Sequence, residues 1–225
     1  MNPVQKLEEN KVYHIYNCGN NHENLFTEES NYIRFLNLYE KYIDPIAYTY
    51  AWVLMPNHFH ILVKMKSNLC YRFNKSDFIS SPEDFELFKW ETRQQNKDES
   101  LNNKIPDFNK HFSHLFNAYA KYFNINTGRS GVLFKTEFSR KLITNRKYFK
   151  NVLIYIHQNP INHGFCDNIL DYPWTSYFSS IDINPTKLRK DVIMRIFNGK
   201  SEFISQNNSL IEFEKIDNYL FSTND

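Results

Sequence analysis

Met55-Pro56-Asn57 separates two runs of strand-forming residues, Ala47–Leu54 and His58–Met65, and this interruption constrains the chain more than any other stretch. Proline fixes φ and asparagine tolerates turn conformations, so the two runs close as an antiparallel hairpin. Side chains alternate along the second run, which puts His58 and His60 on one face, about 7 Å apart at Cα, and Phe59, Ile61 and Val63 on the other. One side of this strand is apolar and the other carries two imidazoles competent to bind a metal. His-x-His pairs also occur in ordinary strands, and two histidines are too few to hold an ion alone. Further donors must come from elsewhere in the chain.

The rest of the pattern says where they come from. Lys11–Asn17 reads as a strand closed by the turn residues Cys18-Gly-Asn-Asn21. Ser30–Ile43 carries Tyr32, Phe35, Leu36, Tyr39 and Ile43 at helical spacing, and a second amphipathic helix carries Phe112, Leu115, Phe116, Tyr119 and Phe123 and stops before Asn126. Gly131–Ile143 supplies a fourth strand. The order β-α-β-β-α-β predicts an α+β, ferredoxin-like (RRM-like) fold, a four-stranded antiparallel sheet with both helices on one face.

Asn145–Asn159 predicts a third helix, ended by Pro160. Its core stripe is Phe149, Val152, Leu153 and Ile156, beside a second stripe of Tyr148, Asn151, Tyr155 and Asn159. Tyr155 and Asn159 lie one turn apart, roughly 6 Å. The first two helices already cover one sheet face, so this added helix is expected on the opposite face, with the histidines. The whole reads as one domain over 1–180, with a polar insertion at about 67–107 that holds at most short helices around Phe85–Arg93. A helical extension follows over 181–225, with short helices in Pro185–Phe197 and Glu202–Gln206 and a frayed end.

Hydrophobic content of 41% with 17% aromatic residues excludes a disordered chain. No stretch approaches the ~20 apolar residues that cross a bilayer, and Met1–Asn10 has no signal-peptide core, so a cytoplasmic protein without membrane contact is expected. Cys18, Cys70 and Cys166 form no Cys-x-x-Cys and indicate neither a disulfide framework nor a thiolate zinc site. Net charge is +2, yet Lys121–Lys150 holds eight basic residues against the single acid Glu137. That segment suggests a polyanionic partner, with Arg129, Lys135, Arg140, Lys141, Arg146 and Lys147 as its candidate contacts. A solvated basic face is the plain alternative.

A tyrosine beside a two-histidine metal site is a candidate nucleophile for phosphoryl transfer. His14 either lines such a site from the neighbouring strand or packs structurally. His157 points elsewhere on the third helix, and His163 beside Gly164 reads as a helix-exit residue.

Four motifs, Tyr13-His-Ile-Tyr-Asn17, Met55-Pro-Asn-His-Phe-His60, Gly131-x-Leu-Phe134 and Tyr155-Ile-His-Gln-Asn-Pro160, stand in an order and spacing that resembles the single-tyrosine HUH (His-hydrophobic-His) transposases. The REP-associated tyrosine transposase branch is the match, over most of residues 11–180. The resemblance implies a metal-dependent transposase and endonuclease of single-stranded DNA, acting at hairpins. His58 and His60 would bind Mg²⁺ or Mn²⁺, with Asn159 in the place of a polar ligand. Tyr155 would attack a phosphodiester to leave a 5′-phosphotyrosine and a free 3′-OH. Partners would be hairpin-bearing single-stranded DNA and, as monomer or homodimer, at most a second copy, in the cytoplasm and on the nucleoid when DNA-bound. Cys18 departs from the pattern, where an Arg often follows Tyr-Asn. The alternatives are a non-catalytic nucleic-acid-binding module, a domesticated inactive descendant, or a metal-dependent hydrolase with a structural tyrosine.

Overall fold

The computed structural model describes residues 6–72, 91–94, 104–135 and 137–209. Strands β1 (Val12–Cys18), β2 (Ala47–Met55), β3 (His58–Met65) and β6 (Ser139–Leu142) form a four-stranded antiparallel sheet in the order β2-β3-β1-β6. With helices α1 (Glu29–Tyr42) and α2 (Phe108–Thr127) between them, this is the β-α-β-β-α-β ferredoxin-like arrangement. A separate two-stranded sheet pairs β4 (Leu69–Arg72) with β5 (Glu91–Gln94).

Strand periodicity of two divides the sheet into unlike faces. Tyr13, Ile15, Phe59, Ile61 and Val63 point into a core closed by Phe35 and Tyr39 of α1 and Phe112, Phe116 and Tyr119 of α2. The opposite face presents Ala51, Val53, Met55 and Leu62 to a second core, built on α3 (Arg146–Asn162) and backed by α5 (Lys190–Phe197) and α6 (Lys200–Asn208). Residues 152–160 of α3 are buried on every side for that reason: the sheet lies against one side, and α5, α6 and the short α4 (Tyr177–Ile181) against others.

The aromatic turn at Tyr172–Tyr177 covers an edge. The Leu54 N–H donates to the Trp174 carbonyl and the Ser176 N–H to the Trp52 carbonyl, both at 2.9 Å, which occupies the outer side of β2. The Trp174 ring stacks on Tyr32 at 4.3 Å.

Several boundaries differ from the sequence reading, most by a residue or two, and the larger differences have identifiable causes. Pro160 does not end α3, which runs on to Asn162. Pro160 forfeits its own bond to the Ile156 carbonyl, yet α3 continues for two residues beyond it. The stop is Gly164, at φ 71°. There the Phe165 N–H donates to the Pro160 carbonyl and the Gly164 N–H to the Ile161 carbonyl, at 2.9 and 3.0 Å, the paired bonds of a Schellman turn. Helix α2 continues past Asn126, to Thr127, and the fourth strand is only Ser139–Leu142, with Phe134 joined to Gly19 by an isolated bridge. Of the short helices expected around Phe85–Arg93, residues 85–90 lie outside the described residues, and Glu91–Arg93 belong to a strand. The frayed end expected for the last ten residues also lies outside the described residues. Among the described residues no helix is long and apolar enough to cross a membrane.

Candidate active site

His58 opens β3 directly after the Pro56-Asn57 turn, and that turn is clamped from outside. The Leu25 and Phe26 N–H groups both donate to the Pro56 carbonyl at 2.7 and 2.9 Å, and the Gly19 N–H donates to the Asn57 carbonyl at 2.8 Å. Position 19 needs glycine, because a Cβ there would stand 2.0 Å from the Glu23 carbonyl oxygen. The loop after β1 therefore holds the start of β3 in place.

Across the sheet, Cys18 faces His58, Tyr16 faces His60 and His14 faces Leu62, while on the other side Met55 and Val53 face His58 and His60. Residues directly opposite share a face. His14, Tyr16, His58 and His60 thus gather on the side covered by α3. The Tyr155 ring meets His60 edge-on at 5.2 Å and His14 at 6.2 Å between ring centroids. Tyr155, only 5% exposed, lines a cavity of about 630 Å³ together with His58, His60 and Tyr16. Tyrosine and histidines meet within one chain.

Asn159, one turn beyond Tyr155, reaches the same place. Its Oδ1 lies 3.0 Å from His58 Nε2, and on the far side of that ring Asn57 Oδ1 lies 2.7 Å from Nδ1. A neutral imidazole has one N–H. With Nδ1–H donated to Asn57, the Nε2 lone pair confronts the Asn159 carbonyl oxygen, and Asn159 Nδ2 is buried without a partner. Two converging electron pairs suit a shared cation, since neighbouring ligands about 2.1 Å from one ion stand roughly 3 Å apart. Without a metal, either the other tautomer, with Nε2–H donated to Asn159 Oδ1, or a half-turn of the amide, pairing Nδ2–H with Nε2, satisfies this contact. Behind the second ligand candidate, His14 Nε2 lies 3.0 Å from His60 Nδ1, which leaves His60 Nε2 as its remaining nitrogen.

Burial holds these rings neutral. It brings His58 down to about 4, with the Asn159 hydrogen bond opposing and His163 adding to the fall. Burial lowers His60 well below the usual value, reinforced by His14, His58 and His163, and takes His14 to about 3. At neutral pH all three present lone pairs. The donors on hand for a divalent ion are two imidazoles and one amide oxygen, a set softer than Mg²⁺ prefers and better matched to Mn²⁺ or Zn²⁺, with phosphate oxygens of a bound nucleic acid needed to complete a harder sphere. No group of three or more His, Cys, Asp or Glu side chains placed to hold a metal occurs among the described residues.

Tyr16 and His163 are among the cavity residues that the sequence reading gives no site role. Tyr16 puts a second phenol in its wall, 5.6 Å from His60 and with its pKa raised by burial against a hydrogen bond to Ser139. Alternation from His14 along β1 is the signal that points to it. His163 caps α3 as expected, yet its exposed ring also lies 5.0 Å from His58 and lines the cavity. It stands one turn beyond Asn159, which is the spacing that reveals it. His157 hydrogen-bonds Asn207 and Ser176, each at 3.0 Å, and faces away from the cavity.

The six basic candidates separate. Lys135 lines the cavity, and Lys141 lies opposite His14 on the same face of the sheet. Arg140, next along β6, faces the other way, its guanidinium 4.1 Å over the Phe138 ring. Arg129 pairs with Glu23 and donates to the Val132 carbonyl, while Arg146 donates to the Arg195 and Ile196 carbonyls and ties α3 to α5. Lys147 is exposed on the first turn of α3.

No protein-family model matches the sequence, and no curated protein does. Among solved structures, the chain is similar to a bacterial tRNA(His) guanylyltransferase (Thg1)-like protein in complex with ATP, at 11% identity and TM-score 0.37 over 80% of this chain and 72% of that one. It is also similar to a REP-associated tyrosine transposase bound to a REP hairpin, at 14% identity and TM-score 0.49 over 80% of this chain and 85% of that one, the family whose motifs the sequence resembles.

Proposed function

We propose that this chain is a metal-dependent transposase and endonuclease of single-stranded DNA that acts at hairpins, with Tyr155 as nucleophile. The observation that carries the reading is the Tyr155 ring edge-on to His60, 5.2 Å away, in a cavity whose wall also holds His58.

The Tyr155 oxygen forms a bond to phosphorus as the bond from phosphorus to the 3′ oxygen breaks. The phenol proton leaves to solvent in the cavity and the 3′ oxygen takes one up, giving a 5′-phosphotyrosine and a free 3′-OH. An ester replaces an ester, so a second 3′-OH can reverse the step without ATP. Free phenol has a pKa near ~10, so only about one in a thousand is ionised at pH 7, and the site must ease that deprotonation.

His58, His60 and Asn159 would hold Mg²⁺ or Mn²⁺, which when bound polarises a phosphate oxygen and offsets the charge gathering on the phosphoryl group. Lys135 at the cavity wall and Lys141 on the same sheet face supply positive charge for the DNA backbone, joined by exposed Lys147. Arg129, Arg140 and Arg146 contribute less, since Arg129 and Arg146 are engaged within the protein and Arg140 faces the opposite side. No second subunit is needed to complete the set.

The test is incubation with a single-stranded hairpin DNA and Mn²⁺, followed by denaturing electrophoresis. A covalent protein–DNA adduct is expected, and it should vanish in Tyr155→Phe. Hairpin binding with no adduct under any cation would make the protein a non-catalytic nucleic-acid-binding module. An undiminished adduct in Tyr155→Phe would move the nucleophile elsewhere, and cleaved ends free of protein would point to a hydrolase.

A further inference from the structure

We infer that His14 is a positioning residue: through its hydrogen bond to His60 Nδ1 it fixes that ring with Nε2 toward the cavity, and so sets the affinity of the site for a divalent cation. The inference rests on the cation reading above and deepens it.

His14 is fully buried in the middle of β1, and its Nε2 lies 3.0 Å from His60 Nδ1. One proton occupies that gap. When His60 gives the Nε2 lone pair to a cation its own proton must sit on Nδ1, and His14 Nε2 is the acceptor in reach. The His14 ring is held for this task between Tyr16 at 4.9 Å and Tyr155 at 6.2 Å. Its other nitrogen, Nδ1, is buried with no partner, a desolvation cost that a hydrocarbon of similar shape would avoid. Packing alone therefore does not account for an imidazole here, whereas the bond to His60 does.

The test compares Mn²⁺ binding by the intact protein, His14→Phe and His14→Gln, read by titration calorimetry without DNA. Glutamine can place an amide oxygen near the position of Nε2. His14→Phe should bind Mn²⁺ about 10- to 100-fold more weakly, with His14→Gln restored to within roughly threefold. Equal affinity in a folded His14→Phe overturns the inference while leaving the cation reading intact. Absence of Mn²⁺ binding by the native protein overturns both. Should His14→Phe fail to fold, imidazole ¹⁵N spectra of the native protein with Zn²⁺ decide instead. His60 is expected protonated at Nδ1 with Nε2 on the metal, and coordination through Nδ1 would refute the role of His14.

Discussion

The two faces of one sheet are built from the same strands and differ in nearly every physical respect. On the α1/α2 side, Phe26, Phe35, Phe59, Phe116, Tyr119 and Phe134 form a continuous ring cluster, with Phe35 and Phe59 5.2 Å apart and Phe116 and Phe134 5.3 Å apart. The phenols buried among them are satisfied: Tyr119 donates to the Leu25 carbonyl at 2.6 Å and Tyr39 bonds the Thr49 hydroxyl at 2.8 Å. The α3 side holds imidazoles, a cavity, and two buried nitrogens without a protein partner, His14 Nδ1 and Asn159 Nδ2. Alternation along β1 and β3 thus sets an apolar row against α1 and α2 and puts the imidazoles on the α3 side. Changes on the two faces should separate stability from activity.

The largest effect expected is from Tyr155→Phe. If the nucleophile is this oxygen, adduct formation should fall by at least about 10³-fold, while the ring packing against His60 remains and thermal stability shifts by no more than a few degrees. A variant that melts far earlier would show the phenol to be part of the fold and would blur the contrast.

Acid should act through the same face. His14 and His58, at about 3 and about 4, and His157, at about 4, are all lowered by burial, and His60 lies well below its usual value for the same reason. Each folded-state pKa is below its unfolded value near 6.5, so the unfolded chain binds more protons as pH falls. The stability held by keeping these rings neutral is complete above about 6.5 and is lost as pH falls from there toward 4, by up to about 1.4 kcal/mol per pH unit per ring. Urea midpoints measured without divalent cations should drop by several kcal/mol equivalents between pH 7 and 4.5. A flat profile across that window would mean that the rings are hydrated, not buried.

Phe59→Ala tests the dry face from between the two histidines. Phe59 is fully buried and packs on Phe35 and Phe116, so truncation should cost about 3–5 kcal/mol by denaturant unfolding. Adduct formed per folded molecule should change far less. A loss below about 1 kcal/mol would mean that α1 and α2 close over the gap, and that the two faces are less independent than the packing implies.

How much of this was legible in the sequence depended on whether the signal was local. The sequence places β3 at its observed bounds, because the Pro56-Asn57 chemistry fixes where the hairpin turns. The face shared by His58 and His60, and the covering of that face by α3, followed from periodicity and from the helices already assigned. The end of α3 is misread from the sequence because proline is a strong local stop signal, whereas the turn that does end the helix, at Gly164, depends on bonds to Ile161 and Pro160. The bond from His14 to His60 needs the register of β1 on β3, which no single segment encodes. The basic run from Lys121 to Lys150 is contiguous in sequence but not in space, because Arg140 and Lys141 alternate across β6 and two of the arginines are drawn into internal bonds.

The smallest effect makes the sharpest comparison, since it repeats the Tyr155→Phe change on the opposite face. Tyr119 is fully buried in α2, and its hydroxyl donates to the Leu25 carbonyl, in the loop whose Leu25 and Phe26 N–H groups hold the Pro56 carbonyl. Removing that oxygen leaves the ring contacts with Phe26 and Phe35 in place and deprives one carbonyl of a donor. The cost should be about 1–3 kcal/mol, that of leaving a buried carbonyl without its donor, with adduct formation within roughly twofold of native. The same loss of one phenol oxygen would then lower stability alone on one face and activity alone on the other. A fall in adduct larger than twofold at unchanged folding would show that the Leu25 loop transmits its position through Pro56 to His58, and the division between the faces would have to be redrawn at that turn.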